Sequence, residues 1–556
     1  MEKRSSLYAA NSPGATFFPA RRRLLQGIGA FGLMLAARAP QSAPEVGRDF
    51  CAPGGRAAAP LFIPRERGFL GRLAPRGAPF TMTAGTAGAL PPGIAHGPLA
   101  YRVAHEGREF INPTLVLRRG ERVRIALANR LTTPTIAHWH GLALDTRNDG
   151  SGMNLIGPGE KYAYDFEVRD RAALYWYHPH PHGDTARQAY QGLFGAIEVD
   201  DADEDTLRKA LDLERGRTEI TLIMQDRRAD PSYAPTAADL VHGWVGDALY
   251  VNGTHCPYLD VASRLYRLRI LNACNARTLR LALRTASGTR IPFVVIGTDS
   301  GLLAAPVRAL EAFVATAERL DVLVDVRDAA VGETLVMESL AFDPMHGEAT
   351  PAAPVDHAAM GHDAAAGNAG APRSADHHDA AWPEGAAQAL LELRVRRRVA
   401  YDRRVPATLS SIVPIDVTDA RERPIRLGYN KGRWRINDRV FEMGATPIEV
   451  DRDTTEVWLL RNYHTSMPHA MHLHGFQFEV RERETSPDFV SALAIDERGR
   501  LPADLGRRDT VLVWPGESVR IAIRFAMPFP GPQTYVFHCH NLEHEDGGMM
   551  LGVKVA

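Results

Sequence analysis

Near the end of the chain the stretch TYVFHCHNLEHEDGGMM, Thr534 to Met550, sets Cys539 between His538 and His540, with His544 and Met549 following closely. A thiolate and a thioether combined with imidazoles form the donor set that copper selects. In an extended strand, residues i and i+2 share a face and i+1 takes the other. His538 and His540 therefore point one way and Cys539 the opposite way, so one strand end can serve two metal sites. An electron arriving at the cysteine then needs to cross only one residue's backbone to reach either histidine.

The partners for such a strand come from an internal repeat. VRIALANRL (Val123 to Leu131) leads into HWHG (His138 to Gly141), and EVWLLRNY (Glu456 to Tyr463) leads into HLHG (His472 to Gly475). PGE follows at Pro158 and again at Pro515, and then YWYHPH (Tyr175 to His180) answers YVFHCH (Tyr535 to His540). Four landmarks in one order imply two copies of one β-sandwich, at about 50–200 and 390–556. Between them LYRLRILNACNART (Leu265 to Thr278) repeats the strand-then-Asn pattern without histidine pairs, which suggests a third copy that binds no metal. Pro179 stands where Cys539 stands and Leu193 where Met549 stands, so only the C-terminal copy can hold copper through a thiolate.

The elements that must position these residues read as short strands. Val123, Ile125 and Leu127 alternate with Arg124, Ala126 and Ala128, and turns rich in Gly, Pro, Asn and Asp separate such runs. The class is all-β. With 556 residues the chain is too long for one core. A net charge of −1 with 24% charged residues points to no nucleic-acid partner. Four cysteines are too few for a disulfide-framed scaffold but leave room for one bridge among Cys51, Cys256 and Cys274.

Arg21-Arg22-Arg23-Leu24-Leu25, the apolar run Gly27 to Ala37 and the small residues that follow read as a twin-arginine export signal over residues 1–43. That run is shorter than the roughly 20 residues a membrane span needs. The expected location is the periplasm, with no membrane span. Residues 345–385 are rich in Ala, Gly and Pro and read as a flexible insert. It carries Met345, Met360, His346, His357, His362, His377 and His378.

HWHG, YHPH, HAMHLHG and HCHNLEHEDGGMM, all present and in order, resemble the four copper motifs of the multicopper oxidases, and the match covers nearly all of the chain beyond the signal. YHPHPHG and HEDGGMM are most similar to bacterial periplasmic cuprous oxidases and bacterial laccases. The resemblance implies three consecutive cupredoxin-like Greek-key β-sandwich domains, at 50–202, 203–344 and 386–556, and four copper ions. It implies a type 1 copper on His469, Cys539 and His544 with Met549 as axial ligand. It places a type 2 ion on His138 and His472, one type 3 ion on His140, His178 and His540, and the other on His180, His474 and His538, all between the first and third domains. His182 falls outside this set.

Reduction of dioxygen also needs protons, and Glu545 and Asp149 are the carboxylates expected to deliver them. Asp546 is read as structural. The implied reaction is one-electron oxidation of cuprous ion or small phenolic donors coupled to reduction of dioxygen to water, by a monomer serving copper tolerance. The competing expectations are a copper-buffering protein without turnover and a general laccase unconnected with copper tolerance. The insert is poorer in methionine than the Met-rich inserts of cuprous oxidases, which keeps the substrate open.

Overall fold

The computed structural model describes residues 59–346 and 382–556. The export signal and residues 347–381 of the insert lie outside the described residues. Everything described belongs to one unit, Glu45–Ala556.

The alternation read from the sequence forms strands for the expected reason. In Arg122–Asn129, Val123, Ile125 and Leu127 are buried while Arg122 and Arg124 face solvent. Among the described residues six sheets result, and they pair into three sandwiches, each with its own apolar core.

The repeat is visible in the hydrogen-bonding pattern. In the first sandwich Phe80–Thr86 pairs parallel with Arg122–Asn129, which pairs antiparallel with Lys161–Glu167. Arg421–Asn430, Thr455–Asn462 and Ser518–Arg524 repeat this in the third sandwich, and Glu219–Arg227, Leu265–Asn272 and Arg319–Asp325 in the second. The opposing sheets agree as well. Thr114–Arg118, Gly195–Asp200, Leu174–Pro179 and Ala137–His140 lie side by side in the first sandwich, as Ile448–Val450, Met550–Val555, Gln533–Cys539 and His469–Leu473 do in the third.

The third domain does not begin at 386. Strand Gln388–Arg397 pairs antiparallel with Thr334–Ser339 and parallel with Pro257–Ala262, and its Leu391, Leu393 and Val395 enter the middle core. The middle sandwich needs this strand in the place that Gly195–Asp200 and Met550–Val555 fill in the other two, so it resumes after the insert. The ends of the insert are packed as well. Phe342 N–H donates to the Gly385 carbonyl at 3.0 Å, and the Arg277 guanidinium lies 3.9 Å from the Trp382 ring centre. Cys256 is disulfide-bonded, whereas Cys274 and Cys539 are free and buried.

Candidate metal centre

Register brings the histidines together. Ala137–His140 pairs with Leu174–Pro179 so that His138 faces His178, and His469–Leu473 pairs with Gln533–Cys539 so that His472 faces His538. Directly opposed residues share a face. The intervening side chains turn inward: Trp139 and Tyr177 join the first core, Met471, Phe537 and Cys539 the third. The histidine faces of the two sandwiches meet. His138 stacks on His474 with ring centres 3.8 Å apart, and His140 on His472 at 3.7 Å.

The imidazole and thiol donors form four clusters, each with its members within 4.8 Å of one another: His138, His140 and His472; His140, His178 and His540; His180, His474 and His538; and His469, Cys539 and His544. A fifth group of the same tightness joins His138 and His474 to the Asp149 carboxylate. In the thiol cluster, Cys539 Sγ lies 3.5 Å from His469 Nδ1 and 3.6 Å from His544 Nδ1. Asn541 caps the short helix Leu542–Asp546 that carries His544 and Glu545. Met549 is buried in the same core and tied by backbone, accepting from Cys539 N–H and donating to the His544 carbonyl.

A carbonyl can only accept, so each imidazole bonded to one donates from that nitrogen and keeps the other for a metal. His544 Nε2 donates to the Val241 carbonyl (2.9 Å), His138 Nδ1 to that of Asp149 (2.7 Å) and His472 Nδ1 to that of Asp509 (2.8 Å). His178 and His538 use Nδ1 on the carbonyls of Pro179 and Cys539. Nε2 of His138 and of His472 is buried with no hydrogen-bond partner among the described residues. An unpaired buried nitrogen costs free energy unless something binds it.

Burial depresses His178 and His544 to about 3 and His180 to about 4, so these three rings are neutral as metal ligation requires. Burial pushes the Cys539 thiol up to about 12, so a metal must displace its proton.

The two expected proton carriers flank one cluster from opposite sandwiches. Asp149 Oδ2 is 2.9 Å from His474 Nδ1, and Glu545 Oε2 is 3.2 Å from His538 Nδ1 with Oε1 3.5 Å from His180 Nδ1. Burial holds the Asp149 carboxyl well above the usual range. Asp546 instead accepts from the backbone N–H groups of Thr185 and Ala186 in the first sandwich. His182 is exposed, against Phe441.

Sequence reasoning missed Asp509, whose Oδ1 lies 3.1 Å from His140 Nε2, because nothing in its spacing links it to a histidine motif. It also missed His242, which stacks against His346 at 5.3 Å, and Trp434, whose ring centre is 4.7 Å from that of His469. A cavity of about 730 Å³ opens at His544, with Tyr233, Val241, Tyr429, Trp434 and Asp546 in its wall.

Residues 99–204 and 416–556 each match the family description of multicopper oxidases. The chain is 30% identical to the bilirubin oxidase of Albifimbria verrucaria over 79% of its own length and 70% of that protein's. It is 27% identical to the multicopper oxidase mco of Staphylococcus aureus, over 80% and 82%. The crystal structure of the McoA multicopper oxidase of Aquifex aeolicus superposes with a TM-score of 0.75 at 34% identity, covering 90% of this chain and 99% of that one.

The chain belongs to the multicopper oxidases. The multicopper oxidase is an oxidoreductase of laccase-like function that uses dioxygen, and its cofactor is copper. The residues fit that metal, since a thiol grouped with two imidazoles and three all-imidazole clusters offer the ligands copper favours. Among the described residues no helix is long and apolar enough to cross a membrane.

Proposed function

We propose that this multicopper oxidase holds four copper ions: a type 1 ion would be held by His469, Cys539 and His544 with Met549 as a further ligand, a type 2 ion by His138 and His472, and a type 3 pair by His140, His178 and His540 and by His180, His474 and His538. Copper bound there supplies one-electron oxidation of a donor and four-electron reduction of dioxygen to water. Asp149, whose carboxyl burial raises, would hold a proton beside the His180, His474 and His538 cluster, and Glu545, kept ionised by His180 and His538, would accept and relay protons toward dioxygen. The enzyme works as a periplasmic monomer exported by the twin-arginine route, oxidising cuprous ion and small phenols in copper tolerance.

The observation that carries this reading is the cavity. His544 lines it, while His544 Nε2 stays fixed on the Val241 carbonyl. A donor seated there would meet the imidazole of His544, which would hold the type 1 ion, with Tyr233, Tyr429 and Trp434 to pack against an aromatic ring. His346 and His242, close by, offer imidazoles to a cuprous donor. Dioxygen consumption with cuprous ion and with a methoxyphenol, each compared with Leu240→Trp at the cavity wall, tests it. Bulk there should slow the phenol severalfold and spare the ion; equal rates with both donors in both proteins would remove the cavity from the pathway. A general laccase is the second reading, favoured by the aromatic wall, and predicts phenol turnover far above cuprous turnover.

A further inference from the structure

Arg319 belongs to the middle sandwich, which contributes no residue to the four clusters, yet its side chain is buried where all three sandwiches meet. A guanidinium has five N–H groups in a fixed plane, and here all five are used. Nε donates to the Leu174 carbonyl of the first sandwich at 3.0 Å. Nη1 donates to the Ala317 carbonyl at 2.8 Å and to Asp509 Oδ1 at 2.9 Å. Nη2 donates to the Asp299 carbonyl at 3.0 Å and to Asp509 Oδ2. The result is a forked pair with a carboxylate of the third sandwich, anchored on the other two.

Asp509 continues the chain of contacts to the metal clusters. Its Oδ1 accepts from His140 Nε2 at 3.1 Å, which leaves His140 Nδ1 free, 3.4 Å from His178 Nε2. Its main-chain carbonyl accepts from His472 Nδ1, leaving Nε2 of that ring for the neighbouring cluster. Gly141 supplies independent evidence that this junction is built to tight tolerance. With φ at +88°, a Cβ there would sit 2.6 Å from Asp509 Oδ2 and 2.8 Å from Arg319 Nη2, so the glycine of HWHG leaves room for the ion pair.

We infer that Arg319 is a positioning residue for the copper cluster: by clamping Asp509 it selects the donor nitrogen of His140 and the orientation of His472, and so makes the metal-free middle sandwich part of the cluster's frame. Lysine cannot replace it, because an ammonium lacks the fork and two of the five donors. Removal of such outer contacts typically weakens metal retention by about 10- to 100-fold.

The inference rests on the copper assignment proposed above, and the test separates the two. Arg319→Lys and Asp509→Asn, each copper-loaded and dialysed against a chelator, should retain the intense thiolate band of the Cys539 site, which reports an intact third sandwich. They should lose cluster copper about 10- to 100-fold more readily than the parent and show an altered type 2 electron paramagnetic resonance signal. Full copper retention with an unchanged signal in both variants overturns the role of Arg319. A parent protein that lacks the cluster signal overturns the copper assignment itself. If either variant loses the thiolate band and is misfolded, neutron diffraction from the unmutated, copper-loaded protein decides: deuterium on His140 Nε2 supports the clamp, and deuterium on Nδ1 refutes it.

Discussion

One connection is made three times in this molecule, with three outcomes. Between Leu174–Pro179 and Gly195–Asp200 it carries helix Thr185–Tyr190, and Leu193 fills the core. Between Gln533–Cys539 and Met550–Val555 it carries helix Leu542–Asp546, and Met549 fills the corresponding place. Between Thr334–Ser339 and Gln388–Arg397 it runs through the insert. The strands agree in direction in all three, although the middle pairing carries a register shift at Met337 and Glu338, so the sandwich asks only that the chain return beside its antiparallel neighbour. Chemistry enters through a few side chains: Cys539 against Pro179, Met549 against Leu193, and His544, delivered by its short helix.

The largest expected effect comes from erasing that difference. Cys539→Ser should abolish the intense thiolate band and donor oxidation while copper stays in the histidine clusters; a variant that remains blue would refute the assignment. Next, Glu545→Gln and Asp149→Asn test whether both sandwiches share proton delivery. Each should slow reoxidation of the reduced enzyme by dioxygen about 100-fold, within the range for a general acid, and spare reduction by the donor. Equal slowing of both half-reactions in stopped flow would indicate a damaged site instead.

Shortening the middle connection toward the length of the other two should act more gently. Deletion of 347–381 should lower cuprous oxidation severalfold at low copper and spare phenols. The deletion must stop short of Trp382 and Glu384, since Arg277 stacks on the former and the Glu384 carboxylate accepts from Thr278 N–H. Unchanged cuprous turnover would leave the segment a linker.

The smallest effect concerns Asp170, which ties first to third sandwich by accepting from Ala143 N–H and Gln477 Nε2. Burial raises its carboxyl from 3.8 to about 7. The folded state thus holds a proton that the unfolded chain releases, so this contribution to stability is complete below pH 3.8 and is lost as pH rises through about 7. Asp170→Asn should flatten the fall in Tm between pH 4 and 8 by an amount equivalent to at most about 4 kcal/mol. A slope unchanged by the substitution, read by calorimetry, would exclude Asp170 as its source.

Much of this was legible in the sequence because it is local or repeated. Alternation around Val123 identified strands, and four ordered landmarks identified the paired sandwiches. The boundary at 386 was not legible, because Gln388–Arg397 owes its place to parallel pairing with Pro257–Ala262, far away in the chain. Asp509 and Arg319 were hidden for a related reason. Their meaning lies in contacts across 190 residues of sequence, and an Arg or Asp at the end of a strand carries no periodic signal of what it will meet.

The bond from Phe342 N–H to the Gly385 carbonyl has an evolutionary reading. It closes the base of the middle connection independently of what fills the interval, with Phe342 seated against Phe313 and Trp514. Doubling the length of a flexible loop adds only about 0.6 kcal/mol of closure cost. The position is therefore a graft point, where descendants of this chain can exchange the sequence between the two ends, lengthen it or dispense with it, while selection on the three cores proceeds undisturbed.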